Sequence, residues 1–402
     1  DLTRLELYKT VSLGLALIDN LRANDYQVRH LRLALSLGEP TRVIRAMSTE
    51  TIFLASQMAA RGRHVADLAS DLAESHDHPL SRAFALFGQI SVSYFIDNDW
   101  ARTLEYIDQC EELLHTHTQS AGFETDSLRV FRCFCWMHMG ELGQLARQVP
   151  AHIDEAERRG DRYIQVSLRT RLVLAWLVTG DPERAERELE EAFAAWIPWT
   201  ETLFTVPHYY GLHSRCEIAL YRNRPGDAAA VLAEQLRPLR RSLLTRVPLV
   251  RSEIEFAQAR VAVACAAAAA SSDGDSQTAA EHLRIARKLA RSLARNRVPV
   301  ATGHHHLILA GIARVSGDMP GAAAELDSAM SELKSLSMWH LFHAARVHRA
   351  ALSDSGDSGN GGDAERADSL AWFHDQGVAE PETLCHMLIP GFVTPAAAGR
   401  GD

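Results

Sequence analysis

The stretch Gly180–Ala192, GDPERAERELEEA, has a counterpart further along the chain in Gly317–Ala329, GDMPGAAAELDSA. In each stretch a Gly-Asp pair is followed by small or apolar residues five, nine and twelve positions after the glycine. These residues are Ala185, Leu189 and Ala192 in the first stretch and Ala322, Leu326 and Ala329 in the second. Positions separated by four and three residues lie on one face of an α-helix. Since glycine favours the end of one helix and Asp or Pro the start of the next, each stretch predicts a turn followed by a helix that packs back on its predecessor.

This helical hairpin pattern recurs along the chain. It is clear at Asn98 and Gly274 and weaker at Gly38 and Gly140. With a further turn at Asn223, neighbouring turns are 40 to 60 residues apart. Helix pairs that repeat at such distances stack into elongated arrays. The sequence therefore predicts an all-α protein, a right-handed α-solenoid of about seven to eight hairpins.

The hairpins resemble tetratricopeptide repeats in their turn and in the small residue early in the second helix, although their helices are longer. We expect this tetratricopeptide-like array to cover residues 1–353. The stretch 354–363, DSGDSGNGGD, contains no apolar residue and is typical of a flexible linker. Residues 364–392 are predicted to form capping helices, and residues 393–402 a disordered tail.

Composition narrows the possible classes of partner and the compartment. The chain has a net charge of -9 and a pI near 6.1, which argues against a general affinity for nucleic acid or an anionic membrane. Its longest apolar run, Val261–Ala270, is too short for a membrane span. The six cysteines have no CxxC spacing, which favours reduced thiols in a cytoplasmic protein. A first residue other than Met suggests a piece of a longer protein.

Motifs for catalysis are missing from the sequence. None of the three lysines lies in a P-loop, and the chain has neither the catalytic and metal-binding loops of protein kinases nor a GxSxG nucleophile. We therefore expect this chain to be no enzyme and to need no cofactor.

The nineteen histidines raise the question of a metal site. Consecutive residues on a helix point about 100° apart, so His304–His306 cannot direct three nitrogens at one ion. The set His340, His343 and His348 has one suitable pair and no neighbouring Cys or carboxylate in register. We expect no metal, and interpret these histidines as solvated or facing a groove.

One predicted helix is strongly basic on a single face. The stretch 283–297, LRIARKLARSLARNR, places five cations on one side and leucines and alanines on the other. This basic face consists of Arg284, Arg287, Lys288, Arg291 and Arg295. It is either a docking site for an acidic segment, a phosphate-bearing ligand or a membrane surface, or the solvated face of a packed helix. An arginine cluster nearby, Arg237, Arg240, Arg241, Arg246 and Arg251, would extend it.

The first helices of hairpins line the concave side of such arrays, where ligands usually bind. The stretch Thr205–Arg215, TVPHYYGLHSR, groups aromatic and imidazole side chains beside a glycine, a mixture that suits stacking and hydrogen bonding. The predicted ligand or partner residues are His208, Tyr209, Tyr210, His213, Arg215, Arg169 and Arg132. The alternative is that the large side chains only fill space between helices.

Both ends of the chain resemble the C-terminal region of large bacterial serine/threonine protein kinases. The resemblance lies in residues 1–47, which begin DLTRLELYKTVSLGLALIDN, and in Leu370–Phe392, LAWFHDQGVAEPETLCHMLIPGF. In such proteins a kinase domain is followed by an AAA- or STAND-type ATPase and then by tetratricopeptide-like repeats. The resemblance implies a sensor or scaffold arm that binds a protein, a peptide or a small effector and regulates those upstream domains. No catalytic residue carries over. The alternative is a structural module for self-assembly without a ligand.

Overall fold

The computed structural model describes residues 1–55, 58–117, 122–196, 203–271, 276–353 and 361–392. The described chain is helical and contains no strand, which confirms the predicted all-α class. The helices are α1 Leu2–Leu15, α2 Asn20–Leu37, α3 Pro40–Ala55, α4 Ala59–His76, α5 Pro79–Val92, α6 Trp100–His117, α7 Gly122–Met139, α8 Leu142–Arg159, α9 Arg162–Arg171, α10 Leu174–Leu177, α11 Pro182–Trp196, α12 Val206–Tyr221, α13 Pro225–Arg241, α14 Pro248–Ser271, α15 Ser276–Leu293, α16 Val300–Val315, α17 Met319–Ser335, α18 Trp339–Ser353, α19 Gly361–Asp375 and α20 Pro381–Leu388. A π-helical turn, Ser93–Asp97, extends α5, and a 3₁₀ turn, Leu244–Arg246, precedes α14.

Six of the predicted turns coincide with residues whose φ is positive. They are Gly38 (φ 71°), Asn98 (50°), Gly140 (79°), Gly180 (74°), Asn223 (53°) and Gly317 (82°). Gly and Asn are the residues that adopt this left-handed conformation most readily. The aspartates after Gly180 and Gly317 cap the following helices, because their side chains accept hydrogen bonds from backbone N–H groups three residues on, at 2.8 and 2.9 Å. The turn predicted at Gly274 lies outside the described residues.

The prediction at Gly38 was wrong in its pairing. Gly38 does end a helix with φ 71°, but it separates α2 from α3, and α3 packs more extensively on α4 than on α2. The turn between α3 and α4 falls near Met58, where no Gly-Asp pair marks it. The apparent 60-residue interval therefore arose because one turn without the pattern was missed.

The repeated small and apolar residues lie between paired helices. Those following Gly180 and Gly317 are at most 1% exposed. Consecutive helices pack together along the chain, and the first helix of a pair also contacts that of the next, as α3 does α5, α7 does α9, and α14 does α16. Small side chains at these positions allow close approach of the second helix, which explains their spacing.

Distant parts of this arrangement meet. The Asn98 side-chain oxygen accepts a hydrogen bond from the backbone N–H of Val300 at 3.3 Å, although 202 residues separate them. Gly140 lies so close to the backbone of His340 that a Cβ there would be 2.6 Å from its nitrogen. The turns after the π-helical turn and after α7 therefore lie against the starts of α16 and α18.

Residues 376–392, the C-terminal segment, lie across several earlier helices. Ala379 donates a backbone hydrogen bond to Val178 at 2.8 Å, and Gln376 accepts one from Gly143 at 3.2 Å. Leu384 and Cys385 in α20 are completely buried. While α19 pairs with α18, the residues that follow it extend back along α8, α10, α12 and α14.

Helix α14 is long and apolar enough to cross a membrane by length and composition alone. Just over half of its apolar window, 56%, is buried inside the protein. The core helix of a soluble protein passes the same test, so this helix is weak evidence for a membrane span.

Candidate ligand site

Charged and aromatic side chains meet in the interior of the protein, most of them from the first helix of a helical hairpin. We call this group the interior polar cluster. It comprises Tyr94 next to α5, His138 on α7, Arg171 on α9, Tyr209, His213 and Glu217 on α12, Glu253 and Arg260 on α14, His304 on α16 and His340 on α18. Apart from the two glutamates, which are mostly buried, each of these residues is at most 8% exposed. Such groups are rarely buried without partners.

Glu253 lies at the centre of the cluster. Its carboxylate accepts a short hydrogen bond from the Tyr209 hydroxyl. The Arg171 guanidinium and the His138 imidazole each bring a nitrogen to 3.5 Å from the same carboxylate oxygen. Three helices are thus joined to α14 through one side chain.

Aromatic stacking holds two of the cluster histidines. The His138 ring lies parallel to that of Trp100 with centroids 4.1 Å apart, and its Nε2 is 3.2 Å from the Tyr94 hydroxyl. The His304 ring stacks on Phe256 at 3.8 Å. These contacts fix the imidazole planes, so the direction of their free nitrogens is set by packing.

The charges of the cluster compensate one another. Burial, together with the nearby Arg171, holds the pKa of His138 and of His213 well below its usual range. Burial also lowers the pKa of His304 and of His340 to about 3. The histidines are therefore neutral at pH 7, which leaves two arginines facing two glutamates.

Opposing effects act on the charged members. Burial disfavours the charge of Arg171, but Glu253 and Glu217 outweigh it and raise the pKa of the guanidinium. For Arg260, burial prevails and lowers the pKa. Burial likewise raises the pKa of Glu217. Arg171 is accordingly the firmly charged member of the cluster.

Five buried nitrogen atoms of the cluster have no hydrogen-bond partner among the residues that the structure describes. They are Nη1 of Arg171, Nε of Arg260, Nε2 of His213, Nδ1 of His304 and Nδ1 of His340. They come from five helices, α9, α12, α14, α16 and α18. The two arginine nitrogens can only donate hydrogen bonds. Buried polar groups are normally satisfied, so these five nitrogens, two of which can only donate, indicate a place built for an acceptor-rich molecule.

Two of the predicted ligand residues, Tyr209 and His213, belong to the interior polar cluster, with their rings 4.9 Å apart. Tyr210 packs edge-on against Phe134 at 5.5 Å. The other two residues of that stretch have structural contacts. His208 accepts the backbone N–H of Thr205 at the start of α12, and the Arg215 guanidinium lies over the Phe193 ring.

The structure does not bring Arg132 and Arg169 to this cluster. Arg132 forms ion pairs with Asp108 and Glu111 of α6, each at 2.8 Å. Arg169 is held in the same way by Glu157 of α8 and Glu188 of α11, at 2.6 and 2.8 Å. Both arginines therefore fasten a first helix to neighbouring second helices.

The histidines considered for metal binding were expected to be solvated or to face a groove, but half of them are buried. His304, His340 and His348 are buried, whereas His305, His306 and His343 are only partly so. His348 contacts the Cys385 carbonyl at 3.2 Å, and His306 pairs with Glu325 at 2.7 Å. Among the described residues, no three His, Cys, Asp or Glu side chains are placed to hold a metal ion.

Sequence reasoning missed Arg171, Glu217, Glu253 and Arg260. A signal was present for two of them, because Arg171 directly precedes the apolar run LVLAWLV and Arg260 directly precedes the apolar run Val261–Ala270. A charged residue inside an apolar stretch must be paired or functional. That signal could have been used, but it does not indicate which residue pairs with either arginine.

A cavity of about 360 Å³ lies between α1, α3 and α5 at the N-terminal end. Lys9, Arg42 and Arg45 line it over a floor that includes Phe84. Each of these cations already has a carboxylate partner, Glu6 for Lys9 and Arg42, and Glu124 for Arg45. The cations that line this cavity are therefore already paired with carboxylates.

Comparisons of the sequence with protein-family models and with curated proteins found no match.

Proposed function

We propose that this chain is a non-catalytic binding module, a right-handed α-solenoid of tetratricopeptide-like hairpins whose interior polar cluster receives a small, acceptor-rich effector. The observation that carries the proposal is the set of five unpartnered nitrogens on five helices. Guanidinium groups favour carboxylate and phosphate oxygens, so an anionic effector fits best.

Binding at this place would act on the whole array. A ligand that contacts five first helices favours the spacing of those helices that suits it, and only such differential affinity can shift a population of states. The Arg260 guanidinium also donates to the carbonyl of Met387 in the C-terminal segment. Access to the cluster would require this segment or neighbouring helix pairs to separate, which couples binding to shape.

The proposal includes an upstream ATPase and serine/threonine kinase that the module regulates in signal transduction. This part rests on the resemblance of residues 1–47 and 370–392 to kinase C-terminal regions. A cytoplasmic setting is also proposed, since all six cysteines are free and buried. Finding a P-loop and kinase motifs upstream of residue 1 would support the regulatory role, and their absence there would remove it.

Thermal unfolding in the presence of small anions tests the binding site. We expect citrate or pyrophosphate to raise Tm in a saturable way and neutral trehalose to leave it unchanged. The matched variant carries His213→Phe and His304→Phe, which keep the aromatic packing and the charges but remove two free nitrogens. It should fold and lose the anion-dependent rise in Tm. An equal rise in the variant, or none in either protein together with no small molecule bound in native mass spectrometry, would overturn the proposal.

A structural self-assembly module is the second candidate, and one observation favours it. Large apolar side chains are exposed on the first two helices, Leu2 and Leu7 on α1 and Leu21, Val28 and Leu35 on α2. Three of them recur every seven residues, as in helices that pair with other helices. Multi-angle light scattering decides the point, because a protein that stays monomeric at high concentration excludes this candidate.

A further inference from the structure

The exposed cations of α13 to α15 form one surface at the ends of neighbouring helices. Arg240 and Arg241 end α13, and Arg251 is in the first turn of α14. The Asn296 side chain donates to the Pro248 carbonyl at 3.1 Å, which joins the residues after α15 to the start of α14. The C-terminal end of the basic face therefore lies next to the start of α14, where Arg251 of the arginine cluster is.

This surface has few counter-ions. The basic face, the arginine cluster and Arg297 together contribute eleven exposed cations. Within the described part of the chain, none of them forms an ion pair; Arg287 and Arg291 have only local contacts, with Ser316 and with a backbone carbonyl. Elsewhere on the protein, several exposed arginines are paired, as Arg63 is with Asp97 at 2.6 Å and Arg29 with Asp25 at 2.8 Å.

The acidic groups nearby do not neutralise the surface. Asp227, Glu234 and Glu281 are exposed on the same helices, and the partly buried Glu255, which interacts with Arg251, accepts a hydrogen bond from the Ser292 hydroxyl at 2.8 Å. Eleven cations therefore face three exposed carboxylates on the described helices α13 to α15, in a chain whose net charge is -9. Unpaired cations at this density repel one another, and an anionic partner would relieve that repulsion.

We infer that this surface binds an acidic segment of a protein partner. Residues 284 to 293 span about 14 Å along α15, and Arg295 lies in the turn that follows it, which leaves room for a short extended or helical segment with several carboxylates. Ten of the eleven cations are arginines, whose planar guanidinium suits carboxylates. This inference is separate from the effector site, because no residue is shared.

Two other polyanions fit the surface less well. A membrane surface favours apolar side chains that insert among the lipids. On α15, Ile285 is the large apolar residue that is markedly exposed. Nucleic acid would be repelled at long range by the acidic remainder of the chain.

Fluorescence anisotropy with a labelled oligo-glutamate peptide of about 12 residues tests the inference. We expect saturable binding at about 50 mM salt that weakens as salt is raised. Replacing Arg284, Arg287, Arg291 and Arg295 together by Gln should weaken binding at least about tenfold. The matched control replaces Arg32, Arg147, Arg162 and Arg187 together by Gln. These four exposed arginines lie outside the basic face and the arginine cluster, so the affinity should stay within about twofold.

Several outcomes would contradict the inference. Failure of the peptide to saturate would overturn it, and so would an equal loss of binding in the control variant. Oligothymidylate or phosphatidylserine vesicles bound as tightly as the peptide would assign the surface to another polyanion. Binding should persist in the variant with His213→Phe and His304→Phe, so failure of the effector site and failure of this surface remain distinguishable.

Discussion

Arg171 of α9 and Glu253 of α14 bring a guanidinium nitrogen to within 3.5 Å of a carboxylate oxygen in the interior of the protein. Both side chains are largely removed from solvent, with 7% and 12% of their surface exposed. The attraction between them offsets part of the cost of burying two charges, but the net stability of such pairs depends on every further hydrogen bond being made.

Substituting Glu253 by Gln should destabilise the protein by about 3 kcal/mol, because Arg171 would stay charged and lose the nearer of its two carboxylate partners, Glu253 at 3.5 Å and Glu217 at 3.9 Å. Combining Glu253→Gln with Arg171→Met should recover part of this loss. Urea unfolding followed by circular dichroism measures both. Asp97→Asn, which removes the partner of the exposed Arg63, is the control and should cost less than about 1 kcal/mol. If the losses of unfolding free energy from Glu253→Gln and Arg171→Met simply add in the double variant, Arg171 and Glu253 do not interact.

Stability should fall as the pH is lowered below 6.5. Burial lowers the pKa of His304 and His340 from 6.5 to about 3, so the unfolded chain binds protons that the folded chain does not. The stability contributed by each neutral histidine is complete above pH 6.5, and it decreases by up to about 1.4 kcal/mol per pH unit toward pH 3. The raised pKa of Glu217 acts in the opposite direction, but the buried histidines outnumber it.

Urea unfolding at a series of pH values measures this dependence. His304→Phe should reduce the slope of the free energy of unfolding against pH by about 1.4 kcal/mol per pH unit, the value for one proton. A free energy of unfolding that stays constant between pH 7 and pH 4 would show that these imidazoles are not buried in neutral form.

Gly140→Ala should be much more destabilising than Gly317→Ala. Both glycines have a positive φ, so each substitution costs about 1 kcal/mol in backbone strain. A Cβ at Gly140 would also approach the backbone nitrogen of His340 to 2.6 Å, whereas a Cβ at Gly317 would meet no atom of the described residues within 4 Å. This close approach should add about 1–3 kcal/mol. Equal Tm values for the two variants would show that the turn and α18 are not in contact.

Leu384→Ala should destabilise the protein by about 2–5 kcal/mol, because Leu384 in the C-terminal segment is completely buried. Leu68→Ala is the control, since Leu68 is 44% exposed, and it should cost less than about 1 kcal/mol. Chemical denaturation gives both values. A loss at Leu384 as small as that at Leu68 would mean that the C-terminal segment is held loosely against the helices before it.

The sequence predicted the helical hairpins where a local pattern marks them, at Asn98, Gly140, Gly180, Asn223 and Gly317. It failed at the turn between α3 and α4, which carries no Gly-Asp pair. For the candidate site it identified Tyr209 and His213 from an unusual composition. It did not find Glu253 or Arg260, because a single charged residue on a helix does not reveal what it faces.

The sequence by itself determined the helices and most of their turns, since capping, left-handed turns and helical faces depend on residues a few positions apart. It also determined that a basic face would exist on α15. Only the tertiary structure decided that Asn98 reaches Val300 and that Arg171 meets Glu253. Those contacts depend on small rotations summed over many helix pairs, a quantity that no local pattern of residues encodes.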